Sequence, residues 1–88
     1  MAGRALYDDP KRNERECPNI VELPVPDNGF GETLELIRLF HVKLSIEARS
    51  GRGRREEGRD YVRWCFADRM NAKAFCNMFD GGLIEPNP

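Results

Sequence analysis

Residues 60–79, Asp-Tyr-Val-Arg-Trp-Cys-Phe-Ala-Asp-Arg-Met-Asn-Ala-Lys-Ala-Phe-Cys-Asn-Met-Phe, constrain the fold more than any other stretch. Val62, Trp64 and Phe66 alternate with Tyr61, Arg63 and Cys65, the period-2 pattern of a half-buried strand. Trp and Phe bury the most apolar area, so the Val62 face is expected to point inward. Asp68 follows as a helix N-cap, and Ala72, Phe75, Cys76 and Phe79 recur at i, i+3, i+4 and i+7 to form one apolar face. The pair Gly81-Gly82 is read as supplying the left-handed residue that ends the helix. A half-buried strand joined to an amphipathic helix buries both apolar faces if the helix folds back over the sheet, which places the chain in the layered α+β class.

Upstream, Ile20 to Leu23 is a short β-type run stopped by Pro24 and Pro26, and Pro-Val-Pro-Asp-Asn-Gly-Phe-Gly is turn material. Residues 32–49 contain neither Gly nor Pro. Leu36, Ile37, Leu39 and Phe40 fit a helical stripe, while Phe40, Val42, Leu44, Ile46 and Ala48 alternate with His41, Lys43, Ser45, Glu47 and Arg49. These two periods predict a helix from Gly31 to Phe40 or His41 and then a strand to Arg49, with a long bulged strand from Leu34 as the alternative. Residues 50–59 hold three glycines and no apolar side chain, which predicts a loop. The last apolar pair, Leu83-Ile84, adds an edge strand or frays. The expected order is β-α-β-β-α(-β), a small two-layer sandwich of the ferredoxin-like kind with both helices on one sheet face. Residues 1–19, with balanced charges and two prolines, are expected to be a disordered tail, 20–85 the single domain and 86–88 a frayed end.

The segment from Tyr61 to Gly82 resembles the C-terminal part of short bacterial proteins of uncharacterised function, which end in an aromatic strand, an Ala-x-x-Phe-x-x-x-Phe helix and Gly-Gly. The resemblance covers about a quarter of the chain and implies no site residue. In this sequence Asp80 stands between the helix and Gly81-Gly82. The net charge of −1 gives no global field toward nucleic acid or an anionic membrane. No apolar run reaches the ~20 residues of a membrane helix, and residues 1–16 hold no signal-peptide core, so a cytoplasmic location and no membrane partner are expected. Three cysteines without a C-x-x-C pair fit a reducing compartment.

Cys17, Cys65, Cys76 and His41 would sum to a zinc ligand set, but their spread from position 17 to 76 lacks the close pairs of structural zinc sites. No metal and no cofactor is therefore expected. Cys76 is read as a core residue, Cys65 as a half-exposed thiol on the opposite strand face, and His41 as a satisfied polar residue at the core edge. The carboxylate pairs Asp8-Asp9 and Glu56-Glu57 should be solvated, and no catalytic residue is assigned. One basic cluster remains: Arg49, Arg52, Arg54, Arg55, Arg59 and Arg63, with Tyr61 on the Arg63 strand face. Guanidinium forks and a stacking ring could hold a single nucleic-acid strand or a phosphate. Glu56, Glu57 and Asp60 oppose that use, Tyr61 is the sole aromatic on that face, and Glu47 is placed to pair with Arg63 across the strands. The expected function is a non-catalytic binding or regulatory module acting through a protein partner or a second copy of itself. Nucleic-acid binding through 49–63 is the alternative.

Overall fold

The computed structural model describes residues 9–84. The elements are α1 (Pro10–Glu16), β1 (Asn19–Pro24), α2 (Glu32–Leu44), β2 (Arg49–Ser50), β3 (Arg54–Glu56), β4 (Arg59–Phe66), α3 (Arg69–Phe79) and β5 (Gly82–Ile84). The sheet runs β2-β4-β1-β5, with β3 also on β4, and every pairing is antiparallel. Among the described residues no helix is long and apolar enough to cross a membrane.

Register assigns the two faces. Val21 lies opposite Trp64, Leu23 opposite Val62, and Val21 also opposite Leu83. These residues join Ile37 of α2 and Ala72 and Phe75 of α3 in the main core. The Val62–Trp64–Phe66 face therefore points to the helices, as its bulk requires. Phe75 is its hub, with ring centroids 5.1 Å from Phe66, 5.2 Å from Phe40 and 4.8 Å from Phe79. Asp68 caps α3 by accepting from the Met70 amide at 2.8 Å.

The opposite face is not open. Ile20 lies opposite Cys65 and Ile84, and with Cys17 these form a second small cluster. Residues 10–16 form a helix rather than part of a disordered tail; residues 1–8 and the expected frayed end at 86–88 lie outside the described residues. Asp9 accepts from the Arg12 amide at 3.1 Å, Pro10 occupies the first turn, and Arg12 bonds Glu16 one turn on at 2.8 Å. Seven residues are too few for a stable isolated helix. Packing supplies the rest: Asn13 is buried and donates to the Ser50 carbonyl at 2.8 Å, and Cys17 closes over the sheet.

Three further expectations are corrected. The helix begun at Glu32 continues to Leu44, so the strand expected over 40–49 shrinks to Arg49–Ser50. No residue in between breaks it, and Ser45 ends it in the left-handed conformation, its amide bonding the His41 and Val42 carbonyls. Inside this helix His41 turns inward and Val42 outward, the reverse of the alternating pattern. Residues 54–60 are a hairpin, not a loop: Glu56 pairs with Arg59 around Glu57 and Gly58, both at positive φ as two-residue hairpin turns require. At the end of α3, Asp80 takes the left-handed position expected of a glycine. Gly81 serves a different need, since a Cβ there would lie 2.5 Å from Leu23 Cδ2 and 3.0 Å from the Glu22 carbonyl.

Candidate functional site

Two surfaces offer functional groups: the arginine-bearing sheet face and the outer side of the helix layer. On the first, the register places Arg49, Arg54, Arg59, Tyr61 and Arg63 on one side of the sheet, whereas Arg55, opposite Asp60, points to the other; carboxylates already hold most of the guanidinium groups. Arg49 bonds Glu16 at 2.9 Å. Arg52 bonds Glu14 at 2.8 Å through its side chain and at 2.6 Å through its amide. Arg54 makes a fork to Glu22, with both bonds at 2.8 Å, also reaches Glu56, and lies 4.3 Å over the Tyr61 ring. Arg55 bonds Asp60 at 3.0 Å. Arg63 bridges Glu22 at 3.1 Å and Glu14 at 3.2 Å. Arg59 alone of the six makes no ion pair among the described residues. The expected Glu47–Arg63 pair does not form; Glu22, directly opposite Arg63 in the register, takes that place.

Glu14 and Glu22 are the residues that sequence reasoning missed. Glu22 sits on the central strand with 7 % exposure. Bonds from Arg54, opposed by burial and helped by Arg63, hold its carboxyl below the ordinary 4.5. Burial pushes Glu14 upward, but Arg52 and Arg63 outweigh it and leave that carboxyl lowered too. Gly51 makes the approach feasible: a Cβ there would stand 2.6 Å from Glu14 Oε2. The local signals were Asp9-Pro10 as a cap and first-turn pair, and Arg12 and Glu16 at i, i+4, together marking a helix that could carry Glu14 inward.

The remaining candidates divide across the sheet. Cys17 and Cys65 lie beneath α1, whereas His41 and Cys76 pack with the main core on the other side. Cys65 is buried, not half-exposed, at 2 %. Burial, with the nearby Glu14 and Cys17 adding to it, pushes its thiol up to about 12, which removes nucleophilic character at neutral pH. Cys76 donates its Sγ–H to the Gly81 carbonyl at 3.0 Å. His41 is not at the core edge but inside it at 3 % exposure, stacked on Phe66 at 5.4 Å with the planes 12° apart. Its Nδ1 is 2.8 Å from the Ile37 carbonyl, while Nε2 meets no partner among the described residues.

The second surface carries apolar side chains that the core does not use. Leu34, Leu36, Leu39, Val42 and Leu44 of α2 are exposed, as are Met70 and Met78 of α3. Leu36, Leu39, Leu44, Met78 and Phe79 line a groove of about 690 Å³ between the two helices, with Lys43 and Asp80 at its polar rim. Among the described residues its polar lining is Thr33, Lys43 and Asp80. No protein-family model matches the chain, and no curated protein or solved structure is significantly similar to it.

Proposed function

We propose that this chain is a small non-catalytic binding or regulatory module that acts through protein contacts made by its helix layer. The single observation that carries this is the α2–α3 groove, where Leu36 keeps 54 % and Met78 66 % of its surface exposed although a core lies directly beneath. Covering such side chains releases water from apolar area, at roughly 25 cal/mol per Å². We read the domain as ferredoxin-like, supported by a sheet order of β2/β3, β4, β1, β5 with α2 and α3 over one face. A cytoplasmic setting is supported by three free thiols in one small domain.

Nucleic-acid binding through 49–63 has weaker support. Arg49, Arg52, Arg54, Arg55 and Arg63 each hold a carboxylate, so a phosphate would have to displace Glu14, Glu16, Glu22, Glu56 or Asp60. Tyr61 is already covered by Arg54. Amide chemical-shift mapping of the labelled chain separates the two. Lysate proteins are expected to move α2 and α3 resonances, and a short single-stranded oligonucleotide at low salt to move none. Oligonucleotide shifts centred on 49–63 that vanish steeply with salt would replace the protein-contact function by the nucleic-acid one.

A further inference from the structure

We infer that the partner seated on this groove is a second copy of the same chain, with the two α2 helices packed antiparallel; this rests on the helix layer being the contact surface. One stripe of α2 has a pattern that matches itself when reversed. Glu32, Leu36, Leu39 and Lys43 follow one another at spacings of four, three and four residues, so they lie on one side of the helix. All four are exposed. The stripe reads acid, leucine, leucine, base, and it is symmetric about the midpoint between Ile37 and Arg38.

A two-fold axis through that midpoint sets Glu32 against Lys43 of the other copy and Leu36 against its Leu39, each contact occurring twice. Such an isologous interface needs only one patch that complements itself. Glu32 in the first turn and Lys43 in the last complement the helix dipole, but neither forms an ion pair among the described residues, although Glu35 and Arg38 on the same helix pair with each other. Reversed, the stripe places opposite charges at both ends of a leucine centre. A parallel pairing in register would instead place Glu32 on Glu32 and Lys43 on Lys43. Met78, exposed beside the leucines, lies where the second α2 would close the groove.

Sedimentation equilibrium of the full chain at submillimolar concentration tests this. The wild-type chain is expected to be in monomer–dimer exchange. Glu32→Lys alone and Lys43→Glu alone should each weaken self-association about tenfold at low salt, because each dimer holds the pair twice. Mixing the two variants should restore association to near the wild-type value, since the heterodimer regains both opposite-charge contacts. Both substitutions are on the helix surface, and unchanged circular dichroism confirms that they fold. A strict monomer, single variants that associate as the wild type does, or a mixture that fails to recover would each overturn the self-pairing. If the wild type is monomeric while lysate proteins still move α2 and α3 resonances, the protein-contact function survives and only the self-pairing falls. If neither occurs, both fall.

Discussion

His41 occupies a position where the surrounding packing asks for a hydrocarbon. Its ring is stacked on Phe66 and flanked by Phe40 and Phe75, and its Nε2 is buried without a partner. A buried polar atom left unpaired costs about 1–3 kcal/mol. His41→Phe keeps an aromatic ring and removes the orphaned nitrogen, so it should stabilise the chain by about 1 kcal/mol in chemical denaturation. A comparable loss of stability would mean that Nε2 is used. Cys65 makes the second residue-scale case. With its thiol pushed up to about 12, it should resist alkylation by iodoacetamide at neutral pH until the protein unfolds. Rapid, selective modification of Cys65 in the folded chain would revive a catalytic role. Both residues show what a period-2 or 3.6 pattern can convey. It assigned Trp64 and Phe75 to the core because size and spacing agree, but it placed His41 only at the core edge because histidine is polar. The aromatic ring that receives it, Phe66, is 25 positions away in sequence.

Among the elements, α1 depends most on contacts distant in sequence. Its anchors reach 37 residues along the chain from Asn13 to Ser50 and 49 from Glu14 to Arg63, which is why local composition suggested a tail. Glu14→Gln should destabilise the protein by about 1–2 kcal/mol, through the loss of charge-assisted bonds to Arg52 and Arg63. The same carboxylates set the acid response. Glu14 and Glu22 have folded values lowered from 4.5, so their contribution is full above that pH and fades as pH falls below it. The protection factors of the α1 amides, measured against intrinsic exchange at each pH, should therefore fall as pH drops below about 4.5, and Glu14→Gln should flatten that limb. Acid-insensitive protection of α1 would contradict the ion-pair anchoring. At the other end, Gly81→Ala drives a Cβ against Leu23, Val21 and the Glu22 carbonyl and should cost about 2–3 kcal/mol. The unit β4–α3 was legible because strand and helix periods there never overlap. The end of α2 was not, because Phe40 and Leu44 satisfy both periods and no glycine or proline marks the boundary.

For the whole molecule, the division of labour between faces follows from where the carboxylates fold to. The arginines looked available in sequence because Glu14, Glu16 and Glu22 lie far upstream of them. Folding brings those three against Arg49, Arg52, Arg54 and Arg63, while the helix layer keeps Leu34, Leu36, Leu39, Val42, Leu44, Met70 and Met78 exposed. A dilution series of the labelled chain, followed amide by amide, tests this directly. Concentration-dependent shifts should gather on Glu32–Leu44 and Arg69–Phe79, with residues 49–63 unmoved. Shifts confined to 49–63, with the two helices silent, would contradict the account.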